Sequence, residues 1–335
     1  MENNVVSVED LKIKIKLDEG DLTPLRGISF AIRENETLGL VGESGCGKSL
    51  TSKAIMGIND KKCVTTGKIT FQHDSKSMNL LDLKFGGHEI RSIRGKNISM
   101  IFQEPMSSFS PLFTIGHQIS EFVRLHMTKD KEKAKQIAIE SMKRVGIANP
   151  EKRYNQYPHE FSGGMLQRAL IAMSLVCNPK LLIADEPTTA LDVTIQAQIL
   201  ELLKKLQKEN NMAILYITHD LGTVAKICDR VAVMYLGKIV EVAPVVELFK
   251  NPQHPYTIGL LGSVHKIGGN SKRLFSIEGT VPLAMNLEDR CGFYDRCIYR
   301  NTKECCGAEP VLREVSEGHY VACYEDMKTK LTQNI

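Results

Sequence analysis

The stretch Gly42-Glu-Ser-Gly-Cys-Gly-Lys48-Ser49 constrains this chain more than any other part of it. It fits G-x-x-x-x-G-K-[ST] and follows directly on the apolar run Leu38–Val41, which has the length of a buried strand. The residues after it suit a helix. Strand, glycine-rich turn and helix in that order make a phosphate loop. Its glycines let successive backbone N–H groups point inward, and the helix N-terminus adds partial positive charge. Gly42, Ser44, Gly45, Cys46, Gly47, Lys48, Ser49 and Leu50 are therefore expected around the phosphates of a nucleotide. Lys48 should reach the β- and γ-phosphates, and Ser49 should ligate Mg²⁺.

A second apolar run, Leu181–Ala184, ends in Asp185 and Glu186. A carboxylate at the end of a buried strand beside a phosphate loop suits the Mg²⁺ shell. Asp185 is expected to hold the ion through water, and Glu186 to polarise an attacking water as general base. Other runs of strand length are Ile28–Ile32, Met100–Phe102, Ala213–Thr218 and Val231–Tyr235, and Lys12–Leu17 alternates with the period of a half-buried strand. Helical patterns such as Lys131–Val145 and Ile195–Gln207 lie among them. Strands alternating with helices predict an α/β fold with a parallel sheet covered on both faces. The stretch from about 105 to 160 reads as a helical lobe. After about 244 the texture turns to more Pro, Gly and Cys, which suggests a core domain over 1–243 and a smaller second domain over 244–335.

Composition removes several classes. Apolar residues make up 42% and charged residues 24%, as in soluble globular chains, and the net charge of +4 is too small to argue for nucleic acid. No apolar run is long enough to span a bilayer, and the polar Met1–Asp10 is unlike a signal peptide. A cytoplasmic location is expected, where nine cysteines are not read as structural disulfides.

Phe161-Ser162-Gly163-Gly164-Met165 precedes a helical run, Gln103 follows the Met100–Phe102 strand, Ala190-Leu191-Asp192 follows the acidic pair, and His219 follows Ala213–Thr218. Taken with the phosphate loop, this order resembles the ATP-binding cassette (ABC) ATPases: signature, Q-loop, D-loop and switch histidine. The resemblance implies an ABC-type core with an antiparallel β subdomain and a helical subdomain. It also implies ATP hydrolysis between two cassettes, with Ser162, Gly163 and Gly164 acting on the nucleotide of the other cassette. Lys48, Gln103, Asp185, Glu186 and His219 would act on the chain's own nucleotide. Gln103 would join Ser49 and Asp185 around Mg²⁺ and couple the site to the helical lobe, and Asp192 would lie at the nucleotide interface. Where such cassettes often stack an aromatic on adenine, this chain offers Ile13, Ile15 and Leu17.

Met165 in place of glutamine, Gly163-Gly-Met-Leu-Gln-Arg168, Asp185-Glu-Pro-Thr-Thr-Ala-Leu-Asp192 and His254-Pro-Tyr-Thr257 resemble the D-type ATPases of the oligopeptide/dipeptide/nickel permeases. That resemblance implies peptide import, with nickel or metallophore import as the alternative. It implies a partner F-type ATPase or a second copy of the chain, two transmembrane permease subunits, and an extracellular or periplasmic substrate-binding protein. The chain would sit on the cytoplasmic face of the membrane. A soluble ABC protein usually carries two cassettes or a long coiled coil between the motifs. A GTPase would show an Asn-Lys-x-Asp motif, which this chain lacks.

Cys291-x5-Cys297-x7-Cys305-x17-Cys323 closes the chain, with Cys306 adjacent to the third position. Four thiolates on a Pro/Gly-rich segment suit a soft metal or an iron–sulfur group. Zinc sites more often use gaps of two to four residues, so zinc and uncoordinated thiols are the alternatives. The pattern resembles the cysteine motif in tails of this permease group, which implies a [4Fe–4S] cluster on Cys291, Cys297, Cys305 and Cys323, with Cys306 as the other choice for the third ligand.

Overall fold

The computed structural model describes residues 3–73, 76–189, 191–263, 277–301, 303–324 and 327. Ala190 and the parts of the C-terminal stretch over 264–276 and after 327 lie outside the described residues. The strands are β1 (Asn4–Leu17), β2 (Gly20–Arg33), β3 (Thr37–Val41), β4 (Cys63–His73), β5 (Lys76–Asn79) and β6 (Ile98–Ile101). They continue with β7 (Leu181–Asp185), β8 (Ala213–Thr218), β9 (Arg230–Tyr235), β10 (Lys238–Pro244), β11 (Arg313–Ser316) and β12 (His319–Val321).

Two sheets form. One is antiparallel, in the order β2-β1-β4-β5. The other has eight strands in the order β11-β12-β10-β9-β3-β8-β7-β6. Its β9, β3, β8, β7 and β6 run parallel, while β10, β12 and β11 add antiparallel at the far edge. The sheet expected to be parallel is thus mixed, because hairpins extend it where no helix crosses over.

Strands β3, β7 and β8 are buried along their whole length, as continuous apolar runs covered on both faces should be. Alternate residues serve two cores. Leu181, Ile183, Leu215 and Ile217 face the antiparallel sheet, while Leu182, Ala184, Ile214 and Tyr216 face the helical side. The helical lobe holds Pro105–Ser108, Ile115–His126, Lys131–Arg144 and Pro150–Arg153. Thr114 and Asp130 cap the two longer helices by accepting from His117 N (3.3 Å) and Lys133 N (3.1 Å). Ile115, Ile119, Ala138 and Met142 tie this lobe to the helix Gly163–Leu175.

The C-terminal stretch is laid against the core. Glu241 and Val242 of β10 pair with Val321 and Tyr320, Thr23 N donates to Ala284 O (2.8 Å), and Phe293 and Ala284 sit in the helical-side core. The polar anchor is Glu241, fully buried, which accepts from Gln253 N (2.7 Å) and His254 N (2.9 Å) and lies 2.7 Å from His319 Nε2. Among the described residues no helix is long and apolar enough to cross a membrane.

Candidate active site

Because β3, β8 and β7 are parallel neighbours, their C-terminal ends deliver Gly42, His219 and the Asp185–Glu186 pair to one edge of the sheet. β6, beside β7, delivers Gln103. Two positions in the loop require glycine. Gly42 has φ 157°, and a Cβ there would stand 2.1 Å from Met234 O. Gly47, the N-cap of the helix Lys48–Met56, has φ 110°, and its Cβ would meet Leu25 at 2.6 Å.

Lys48 is 7% exposed and its ammonium folds over the loop, donating to Gly42 O (2.8 Å) and Glu43 O (2.9 Å). The cation therefore sits among the loop amides where phosphate oxygens would lie. Ser49 Oγ donates to Asp185 Oδ1 and Ser52 Oγ to Asp185 Oδ2, both at 3.4 Å. Burial pushes the Asp185 carboxyl up, the Ser49 hydroxyl draws it back, and the neighbouring Glu186 adds to the rise. A hard cation placed here would relieve that burial.

Glu186 stands in the left-handed region at φ 47° and is held there by its N–H, which donates to Ile217 O (2.8 Å). Its side chain collects three partners. Oε2 accepts from Gln103 Nε2 (2.8 Å) and Thr189 Oγ1 (3.1 Å), and Oε1 lies 2.8 Å from His219 Nδ1. Burial raises this carboxyl, but the His219 hydrogen bond and charge, Thr189 and Lys48 outweigh it, leaving Glu186 below the ordinary carboxylate range. It is thus an ionised carboxylate, with a 63%-exposed histidine on its outer side.

Glu186, Gln103 and His219 form one cluster, and Lys48, Ser49 and Asp185 form its neighbour. Ser162 instead caps the helix Gly163–Leu175, accepting from Met165 N at 3.4 Å. Gly163 and Gly164 abut Leu191 and Ile195. Asp192 caps the helix Val193–Asn210, accepting from Ile195 N at 2.9 Å. Ser44 and Gly45 are exposed at the loop tip, Cys46 is fully buried, and Leu50 is half-buried against the antiparallel-sheet core. Of the apolar residues set against adenine, Ile13 is fully buried in that core and cannot face a base, which leaves Ile15 and the 45%-exposed Leu17. The sequence reading missed Ser52 and Thr189. Ser52 could have been found, since it is one helical turn from Ser49 and so shares its face.

Four thiols, Cys291, Cys297, Cys305 and Cys323, line one pocket with His254, Tyr294 and Arg300. Cys305 and Cys323 are buried, and Cys306, which does not line the pocket, is exposed. Burial pushes the Cys291 thiol up to about 11, and the nearby Cys305 and Cys297 push the same way. None of the nine cysteines, all described, is in a disulfide. Among the described residues no three His, Cys, Asp or Glu side chains gather closely enough to hold a metal ion.

A phosphate loop, a strand-end carboxylate pair and a strand-end histidine on a mixed sheet define a nucleotide-hydrolysing cassette. The comparisons place it further. The family described as "ABC transporter" matches residues 25–189, and "Oligopeptide/dipeptide transporter, C-terminal region" matches 240–305. The oligopeptide transport ATP-binding protein OppD of Bacillus subtilis (strain 168) is 49% identical over 320 residues, 95% of this chain and 87% of that protein. A putative peptide import ATP-binding protein of Brucella abortus (strain 2308) is 45% identical, covering 95% and 96% of the two chains. Among solved structures, the ATP-binding cassette MJ0796, a dimer in a post-hydrolysis state bound to ADP and Pi, matches with TM-score 0.63 and 26% identity. That match covers 72% of this chain and 98% of the other. This chain belongs to the ABC transporter family of ATPases, in the branch that carries the oligopeptide/dipeptide transporter C-terminal region.

Proposed function

We propose that this chain is the ATP-hydrolysing subunit of a membrane importer of di- and oligopeptides, working as one cassette of a pair. The observation that carries the cargo is the near full-length similarity to proteins named for peptide import, together with the C-terminal region they share. Nickel import has no comparable support.

In this reading the loop amides and Lys48 bind the ATP phosphates. Ser49, Gln103 and Asp185 would hold Mg²⁺, which supplies charge neutralisation at the β- and γ-phosphates. Glu186 accepts a proton from the attacking water, with Gln103, Thr189 and His219 fixing the orientation of its carboxylate. Ser162 and Gly164 sit at a capped helix N-terminus suited to an anion on the facing cassette, which is an F-type partner or a second copy. Closing and reopening the pair would move the permease subunits, fed by a substrate-binding protein outside the cell.

The contact with a permease subunit is assigned to a groove of about 880 Å³ between the sheet and the helical lobe. Met100, Phe102, Phe122, Leu125, Leu170 and Met173 give it an apolar lining, and Met106 and Leu112 stand exposed nearby at 60% and 77%. An apolar groove of this size suits an amphipathic helix. Through it the chain would be held peripherally on the cytoplasmic face of the membrane. The four-thiol pocket offers the soft donors Cys291, Cys297, Cys305 and Cys323, but no three of them gather closely enough to ligate a metal, so the arrangement does not fit the expected [4Fe–4S] cluster and no role is assigned through it.

The test is uptake of labelled dipeptides, oligopeptides and nickel by cells lacking this chain. Peptide uptake should disappear and return with the native chain but not with Lys48→Ala. Peptide uptake that persists in the deleted cells would refute the cargo assignment.

A further inference from the structure

Glu43, the residue after the first glycine of the phosphate loop, is gripped from the C-terminal extension at two points. Its backbone N–H donates to Tyr256 Oη at 2.8 Å. Its carboxylate takes a two-pronged ion pair from Arg296, Nη1 to Oε2 at 2.6 Å and Nη2 to Oε1 at 3.0 Å. Its carbonyl oxygen receives Lys48 Nζ at 2.9 Å. One residue therefore links the phosphate-binding lysine to a part of the chain more than 200 positions away.

The guanidinium is itself fixed. Nε donates to Glu278 O (2.9 Å) and Nη2 to Gly279 O (3.1 Å), and the side chain is 7% exposed. It lies 5.7 Å from the Tyr235 ring, which packs against Tyr256 and Phe293 with centroids 4.7 and 5.1 Å away. A forked, planar donor fixed by backbone carbonyls and aromatic packing sets position as well as charge. Arg296 also directly precedes Cys297, and the short turn Tyr294–Arg296 lies between Cys291 and Cys297.

We propose that Arg296 is a positioning residue for the nucleotide site, through which the C-terminal extension preorganises the phosphate loop and sets its affinity for nucleotide. Phosphate binding needs the loop amides to converge before the ligand arrives, and a loop ordered only on binding binds more weakly. The four-thiol segment then reaches the phosphates through one guanidinium. Disturbing that segment acts first on nucleotide affinity and leaves Glu186, Gln103 and His219 untouched. The proposal rests on the nucleotide-site reading and is independent of the cargo.

The experiment is titration of the purified full-length chain with MgATP and ADP, alongside ATP hydrolysis by the assembled transporter. Arg296→Ala should raise the Kd for both nucleotides by about tenfold, the scale of a partly buried two-pronged ion pair. KM for ATP should rise with it, kcat should change less than about twofold, and the melting temperature should stay within a few degrees. Arg296→Lys, which keeps charge but loses the fork, should fall between. Glu43→Gln should match Arg296→Ala, and the double variant should be no worse than either alone. Glu309→Gln cuts the extension's ion pairs to Arg26 (2.7 Å) and Lys238 (3.4 Å) and should leave the Kd unchanged. A folded Arg296→Ala with native Kd overturns the proposal. So does a Glu309→Gln that weakens binding equally, since the extension would then act only through general stability. If Arg296→Ala does not fold, Glu43→Gln decides: native affinity in that variant overturns the proposal.

Discussion

The catalytic edge of the sheet and the C-terminal extension meet at the phosphate loop, and they reach it by different means. At the catalytic edge, position comes from the backbone. Gly42, Asp185, Glu186 and His219 each stand at the end of a fully buried parallel strand or one residue beyond it, so sheet register brings them together. In the extension, position comes from buried polar side chains. Glu241 gathers Gln253, His254 and His319, and Glu43 gathers Arg296 and Tyr256. The difference teaches where damage should appear. Changing a side chain at the strand ends should alter chemistry and leave the fold, while changing one in the extension should alter stability or affinity and leave the chemistry.

The largest effect should come from Glu186→Gln. The glutamine keeps the size and most of the hydrogen bonds to Gln103, Thr189 and His219 but cannot take a proton from water. Hydrolysis by the assembled transporter should fall by about 10²–10⁴-fold, while ATP binding and the melting temperature stay near native. Steady-state phosphate release and a nucleotide titration check both halves. If the rate persists near native, Glu186 is not the base. If the fold collapses, the catalytic edge is not positioned by backbone alone.

The extension offers the opposite case in His254. It is 2% exposed, caps the helix Pro255–Gly262 by accepting from Tyr256 N through Nδ1 at 3.0 Å, and is pushed down to about 4 by burial, against the opposing pull of Glu241. The folded chain therefore holds a neutral imidazole, whereas the unfolded chain takes up a proton near pH 6.5. The sign follows. This stabilisation is complete above about pH 6.5 and is lost as pH falls toward 4. Between pH 7 and pH 5 the loss should be about 2 kcal/mol. His254→Asn keeps a capping acceptor without a proton site. Urea unfolding at the two pH values should show the native chain weakening by about that much more than the variant. Equal slopes would remove His254 from the account.

Much of the catalytic edge could be read in advance because its logic is local. A strand, a glycine turn and a helix fall within some twenty residues, and an apolar run ending in Asp185-Glu186 marks its own site. The runs Leu38–Val41, Leu181–Ala184 and Ala213–Thr218 are strands within a residue or so, since burial on both faces leaves no polar break. β4 and β10–β12 escaped notice because Thr, Lys, Glu and His interrupt their apolar residues, leaving neither a continuous apolar run nor a strict alternation along the whole strand. Arg296 and Tyr256 escaped for another reason. Their partner Glu43 is set by tertiary packing across the whole chain, and no spacing rule connects positions that far apart. The cysteine spacing left Cys305 and Cys306 open, and only burial separates them.

The smallest effect sharpens the comparison most finely, because it sets one helix cap against another. Asp192 does at the catalytic edge what His254 does in the extension, accepting from Ile195 N at 2.9 Å, but it does so in the open. Exposed as it is, Asp192 should contribute stability chiefly through its capping hydrogen bond. Asp192→Ala should cost about 1 kcal/mol in urea unfolding at pH 7, and Asp192→Asn close to nothing. Hydrolysis by the assembled transporter separates the cap from a role at the nucleotide interface. If Asp192 only caps, Asp192→Asn should hydrolyse ATP at the native rate. If its charge acts on the facing cassette, both variants should slow hydrolysis alike, although only the alanine loses stability.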